Sequence, residues 1–212
     1  MAIDTAKKTK RPGKINARLK CLQINLQHSR LVTDNLLKIT QEEGIDIVCI
    51  QEPYTVGNKL AVLRKSLAVY TLGAGRKRAA IVINNKQIDT MKITQLSNED
   101  KVVLETKFGN AALLIASMYF DINRPINLDL QKMQAILMHA NAVGIVFAVD
   151  SNARSTSWHD VLTKKRGKTM EEFIISKQLH TANEENSHTT FWTSRGARNI
   201  DLTILNQAIG LK

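Results

Sequence analysis

Two runs of residues, 45–50 and 145–149, are short and almost wholly apolar. Ile-Asp-Ile-Val-Cys-Ile and Ile-Val-Phe-Ala-Val read as β-strands covered on both faces, because a half-exposed strand would alternate polar and apolar positions. Each run breaks off at a polar cluster, Gln51-Glu52-Pro53 and Asp150-Ser151-Asn152. Two more clusters flank apolar segments: Gln23-Ile24-Asn25 follows 19–22, and Asn199-Ile200-Asp201 opens 202–205. One polar cluster per strand end, supplied by distant segments, is how an α/β scaffold assembles a site.

Between these runs, strands and helices alternate. Residues 29–43 read as a helix with Val32, Leu36, Leu37 and Ile39 as its apolar stripe and Gly44 as its stop. Residues 128–141 read as a second helix, with Leu130, Met133, Ile136 and Leu137 on one side, and 169–176 as a third. Strands are expected at 19–26, 69–72, 79–83, 91–96, 102–108, 111–118, 189–193 and 199–205, separated by Gly, Asn and Lys-rich turns. Residues 151–168 read as a long basic loop. Gly167-Lys168-Thr169 lacks the upstream glycine and strand of a phosphate loop. Many strands of mixed direction with helices before, between and after them predict two packed sheets flanked by helices.

The 212 residues suit one domain, expected over 19–212, preceded by a basic arm over 1–18 that contains Lys7-Lys8-Thr9-Lys10-Arg11-Pro12-Gly13-Lys14. The net charge of +11 favours a polyanionic partner over a merely solvated basic surface. Cys21 and Cys49 read as reduced core residues, too few for a disulfide scaffold. No apolar run is long enough to span a membrane, and Met1-Ala2-Ile3-Asp4 leads straight into cations, so an intracellular protein is expected, and a nuclear one if the basic arm serves as an import signal rather than as a DNA contact or a linker.

The strand-end residues suit phosphodiester chemistry, which needs a cationic clamp on the phosphate, an activated water and a stabilised leaving oxygen. Glu52 can be a Mg²⁺ ligand, or simply an exposed glutamate at a strand end. Asn25 can donate to a phosphate oxygen or accept beside a ligand, or form a turn. Asp150 can activate or orient water and Asn152 can bind a phosphate oxygen, or the pair can form an Asx-turn. Asp201, set between Ile200 and Leu202, needs a partner; orienting a histidine base and bonding a loop both provide one. Arg76, Lys77, Arg78, Lys164-Lys165-Arg166, Arg195 and Arg198 are loop cations that suit either solvent or DNA phosphates.

Together the motifs resemble the exonuclease-endonuclease-phosphatase superfamily, and more narrowly the endonuclease domains of non-LTR retrotransposons of the insect site-specific type. The resemblance rests on Leu22-Gln23-Ile24-Asn25-Leu26, Ile50-Gln51-Glu52-Pro53-Tyr54, Ser117-Met118-Tyr119, Asp150-Ser151-Asn152-Ala153-Arg154-Ser155 with Trp158-His159, Thr190-Phe191-Trp192 and Asn199-Ile200-Asp201-Leu202-Thr203. It covers about 19–205. It implies a four-layered α/β sandwich and Mg²⁺-dependent nicking of duplex DNA, beside a reverse transcriptase domain in the same polyprotein. It implies that Asn25 and Glu52 lie at the metal, Tyr119 at the scissile phosphate, Asp150 and Asn152 at the water and leaving group, and Asp201 behind a histidine base. Arg76, Lys77, Arg78, Arg154 and Arg195 would contact DNA.

This sequence departs from the family pattern twice. Where repair enzymes often carry an aspartate two residues after the first asparagine, this chain has Gln27. The family's Ser-Asp-His segment is also missing: Asp201-Leu202-Thr203-Ile204-Leu205 runs into Asn206-Gln207-Ala208 without it, and none of His28, His139, His159, His180 and His188 follows Asp201. A chain without that base is expected to bind DNA and nick it slowly or not at all. The rival readings are a non-catalytic DNA-binding relative and a phosphatase of the same superfamily; the basic loops and Asn152-Ala153-Arg154-Ser155 count against the phosphatase.

Overall fold

The computed structural model describes residues 18–61, 67–140, 143–184, 190–193 and 196–209. The basic arm up to residue 17, Arg195 and His188 lie outside the described residues, as do the side chains of 191–193.

In chain order the elements are β1 (Cys21–Asn25), α1 (Arg30–Glu42), β2 (Ile47–Gln51), β3 (Thr55–Val56), β4 (Lys59–Leu60), β5 (Ala68–Tyr70), β6 (Ala79–Ile83), β7 (Asp89–Lys92), β8 (Lys101–Phe108), β9 (Ala111–Tyr119), α2 (Ile126–His139), β10 (Gly144–Asp150), α3 (Lys165–Ser176), β11 (His180–Thr181), β12 (Phe191–Thr193), β13 (Gly196–Arg198) and β14 (Asp201–Leu205). Four strands form one sheet in the order β1-β2-β6-β5 and six form a second in the order β11-β14-β10-β9-β8-β7. Both are mixed: β1 runs parallel to β2 and β10 parallel to β9, while β2–β6 and β10–β14 are antiparallel.

Strand periodicity sorts the side chains into four layers. Val48 and Ile50 of β2 face α1 and pack with Leu36 and Val82, whereas Ile47 and Cys49 face the second sheet and meet Ile81, Val102, Ile115 and Ala148. On the six-stranded sheet, Leu114, Ala116, Met118, Phe147, Val149, Leu202 and Ile204 lie against Leu130, Met133 and Ile136 of α2 and Met170 and Ile174 of α3. The order is therefore helix, sheet, sheet, helices, the sandwich that was expected.

Three local expectations are corrected. In α1 the buried stripe is Thr33, Leu36 and Thr40, while Val32 and Ile39 are exposed. The threonines bury without loss because each hydroxyl donates to a carbonyl one turn back, Thr33 to Ser29 O and Thr40 to Leu36 O, both at 2.8 Å. Helix α3 begins at Lys165, four residues earlier than expected, and Gly167 lets it approach the preceding loop: a Cβ there would sit 1.8 Å from Arg154 O. Cys21 is exposed because β1 is an edge strand; Cys49 is buried.

Candidate active site

The same periodicity places the polar residues. Following the inward-facing positions of each strand to its end leads from Cys49 to Gln51, from Ile115 to Ser117 and Tyr119, and from Ala148 to Asp150. Asn25 is in register with Gln51, and Asp150 is in register with both Tyr119 and Asp201. Five residues from five strands thus share one end of the space between the sheets. Gln51 joins the layers there: its Nε2 donates to Ser117 Oγ (2.9 Å) and Ala148 O (3.1 Å), and Ser117 Oγ donates to Ile50 O (2.9 Å).

Around this seam the functional candidates converge. Asn25 Nδ2 donates to Asp150 Oδ2 at 2.8 Å, and Asn25 Oδ1 accepts from Gln27 N at 2.8 Å. Asp150 Oδ1 accepts from Asn152 N at 3.3 Å, and Asn152 Nδ2 donates to Phe120 O at 3.1 Å. The chain leaves three of these strands through left-handed residues: Gln27 and His28, Glu52 at φ +45° and Asn152 at φ +47°. For a glutamate this conformation costs of order 1 kcal/mol or more and persists only where its surroundings enforce it. The enforcing bonds are Glu52 N to Arg78 O (2.9 Å) and His28 N to Glu52 O (2.8 Å), with His28 Nε2 3.4 Å from Glu52 Oε1.

The electrostatics at this end are unbalanced. Burial pushes Asp150 up to about 8, helped by the charges of Asp201 and Glu52. Burial also pushes Asp201 up to about 6, against a hydrogen bond from Thr190 and with the Glu52 charge adding to the rise. Asp201 Oδ1 is buried and has no hydrogen-bond partner among the described residues. The orphaned Asp201 oxygen, buried on the strand beside Asp150, is one that a cation taking oxygen ligands would satisfy. Among the described residues no three His, Cys, Asp or Glu side chains are grouped so that they could hold a metal ion together. Mg²⁺ usually takes one or two carboxylates and keeps several waters, so Glu52, Asn25 and their neighbours suit an open site.

The expected DNA-facing cations divide. Arg76 is exposed, whereas Lys77 is buried and donates to Gly73 O (2.6 Å) and Gly75 O (3.0 Å). Arg78 grips Asp100 with two bonds of 2.6 and 2.9 Å and Asp121 with one of 2.7 Å. Arg154 holds the buried Asp160 (Nη2–Oδ1 2.7 Å), which also accepts from Asn199 N at 3.0 Å. These three cations read from sequence as phosphate grips are spent inside the protein. For Arg78 the sequence carries no sign of this, since Asp100 and Asp121 are 22 and 43 residues away.

The chain matches known proteins over most of this fold. A family model described as endonuclease-reverse transcriptase matches residues 113–212. A putative 115 kDa protein of the type-1 retrotransposable element R1DM of Drosophila melanogaster is 25% identical over 90% of this chain. The Pol polyprotein of an R1 element of Bradysia coprophila is 26% identical over 62% of it. The chain spans only 19% and 14% of those two relatives. Among solved structures, the endonuclease domain of TRAS1, a telomere-specific non-LTR retrotransposon, superposes with a TM-score of 0.81 at 26% identity, covering 90% of this chain and 86% of that one. The chain is thus similar to the endonuclease-reverse transcriptase family over residues 113–212, and to a retrotransposon endonuclease domain over most of its fold. Its relatives are retrotransposon proteins, its fold is that of nuclease-type hydrolases, and such folds are generally metal-dependent. Among the described residues no helix is long and apolar enough to cross a membrane.

Proposed function

We propose that the strand-end seam is the active site of a Mg²⁺-dependent endonuclease domain that nicks duplex DNA in the nucleus for retrotransposon insertion, next to a reverse transcriptase in the same polyprotein. The observation that carries this reading is the meeting of Asn25, Asp150 and Asp201, with Glu52 close enough to perturb both aspartates. Glu52 and Asn25 would hold the cation, which when bound supplies Lewis-acid stabilisation of charge on the phosphate.

The chain's own groups supply the rest. Asp150, held by Asn25 and by the backbone of Asn152, accepts a proton near neutrality, as a general base working at that pH must. Asn152 commits one amide N–H to Phe120 O and keeps the other for a phosphate oxygen. Tyr119, the register neighbour of Asp150, presents a hydroxyl to the same phosphate. Asp201 Oδ1 remains available to an imidazole.

That orphaned oxygen also favours a second reading, a DNA-binding domain whose cutting is slow because no described histidine bonds Asp201. Loss of a general base typically lowers a rate by about 10²–10⁴-fold. Nicking and Mg²⁺-dependent DNA binding measured side by side separate the two readings.

Glu52→Gln tests the metal assignment without relying on turnover. The variant keeps the shape and backbone of Glu52, so its fold is retained. Mg²⁺ raises the thermal midpoint of the wild type and leaves that of the variant unmoved, because a ligand stabilises only the state that binds it. An equal Mg²⁺ shift in both proteins removes Glu52 from the metal site.

DNA binding is expected to be electrostatic, given the charge of +11 and the exposed Arg76, Lys164, Lys165 and Lys168. Affinity falls as salt rises with a log–log slope of about 0.9 for each phosphate contact. Arg76→Ala reduces that slope by about one contact. Arg154→Ala leaves the slope unchanged, since its guanidinium is engaged by Asp160.

A further inference from the structure

Arg78 stands where three parts of the seam meet. Its carbonyl accepts from Glu52 N (2.9 Å), fixing the left-handed turn that carries Glu52. Its guanidinium carbon lies 4.8 Å from the centroid of the Tyr119 ring. Three of its five N–H groups are fixed by Asp100 and Asp121. Asp100 is also the residue whose carbonyl accepts from Tyr119 N at 2.8 Å. Arg124 completes the ring of charges, 3.1 Å from Asp100 and 3.6 Å from Asp121. Two cations and two anions cancel, so little of Arg78's charge is left for a DNA phosphate, and capturing one would mean breaking charge-assisted bonds.

We propose that Arg78 is a positioning residue that locks the Tyr119 ring to the Glu52 turn and so sets the reach of the Tyr119 hydroxyl, rather than a DNA contact; this rests on the reading of Tyr119 as a phosphate-facing residue. A bidentate, stacked guanidinium can hold a carboxylate and a ring in one geometry, and a lysine ammonium cannot. Arg78 also opposes the charges of Glu52 and Asp150 on the phenol, which burial and those carboxylates push up.

The test is a cycle of Arg78→Lys, Tyr119→Phe and the double variant, read by single-turnover nicking and by DNA affinity across salt. Arg78→Lys lowers the nicking rate about tenfold, in keeping with the cost of a small misplacement. Its DNA affinity and salt slope stay at wild-type values. In the Tyr119→Phe background the same change has less than about a twofold effect, the signature of residues acting as a unit. A salt slope reduced by about one contact makes Arg78 a phosphate ligand and overturns the proposal. An undiminished tenfold loss in the Tyr119→Phe background also overturns it, since Arg78 would then act elsewhere. Asp100→Asn loosens the same guanidinium from the other side, and it gives the same dependence on Tyr119 should Arg78→Lys fold poorly. If the wild type does not nick, the functional reading has failed and the contact is judged on free protein labelled with ¹³C-tyrosine. Arg78→Lys shifts the Tyr119 signal and leaves those of Tyr54 and Tyr70 in place; an unmoved Tyr119 signal overturns the lock.

Discussion

Asp150→Asn lowers the nicking rate by about 10²–10⁴-fold and raises the thermal midpoint of the metal-free protein. Both effects come from one fact, the crowding of Asp150, Asp201 and Glu52 at one end of the inter-sheet seam. The amide can still accept the Asn25 bond that Asp150 Oδ2 receives. The substitution replaces a carboxyl whose charged form burial and the neighbouring Asp201 and Glu52 disfavour with a neutral group that cannot take a proton. Each pKa unit corresponds to about 1.4 kcal/mol between protonation states. The amide's N–H₂ group also meets the Asn152 N–H that Asp150 Oδ1 now accepts, so the gain is of order 1–2 kcal/mol, or a few degrees for a domain of this size. Stability gained where activity is lost marks a site kept strained for function. Calorimetry in EDTA and plasmid nicking in Mg²⁺ check the two halves; a variant that is both slower and less stable shows that Asp150 is a structural aspartate.

Asp160→Ala has the largest expected effect on folding. Asp160 is buried, bonds Arg154 through both carboxylate oxygens, and accepts from the backbone N–H of Asn199 and Leu162. Truncation leaves Arg154 half-buried without its counter-charge and Asn199 N unpaired, a loss of about 3–5 kcal/mol for a broken buried pair. Burial works against the charge on Asp160, but the bonds from Arg154, Asn199 and Leu162 outweigh it and hold its pKa below the usual carboxylate value. A depressed carboxylate stabilises the fold above the unfolded pKa and loses that contribution as pH falls through its folded value. The destabilisation by Asp160→Ala is therefore full at neutral pH and shrinks below about pH 4, the ordinary Asp value. Denaturant melts at pH 7 and pH 3.5 test it; a cost that does not shrink with acid places the effect in packing rather than charge.

Asp160 matters to the site as well as to the fold. The loop between β10 and α3 clamps Asn199: Trp158 Nε1 donates to Asn199 O (3.1 Å), and Asn199 Nδ2 donates to His159 O (2.9 Å). Asp201 follows two residues later, in register with Asp150. The clamp therefore fixes where β14 begins and which carboxylates face each other.

The layers and the strand ends were legible because a strand repeats every two residues. Ile-Val-Phe-Ala-Val can only be buried on both faces, and an aspartate at its last position then falls between the sheets. The β3–β4 hairpin was not among the expected strands: its left-handed Gly57-Asn58 turn joins strands of two residues each, too short to show a period. The stripe of α1 was not legible, because a buried threonine reads as polar until its hydroxyl is seen to bond one turn back. The fate of Lys77, Arg78 and Arg154 was hidden for a different reason. A cation looks the same in sequence whether it faces solvent or DNA or is taken up by protein oxygens, the Gly73 and Gly75 carbonyls for Lys77, Asp100 and Asp121 for Arg78, and Asp160 for Arg154.

The central claim is that the seam cuts phosphodiesters with a bound metal, and a supercoiled-plasmid assay at enzyme excess tests it most directly, with wild type and Glu52→Gln compared in Mg²⁺ and in EDTA. The account predicts open-circular product from the wild type in Mg²⁺ alone, with none in EDTA and little from the variant. Product that persists in EDTA or is undiminished by Glu52→Gln, or no product from the wild type in Mg²⁺, contradicts it.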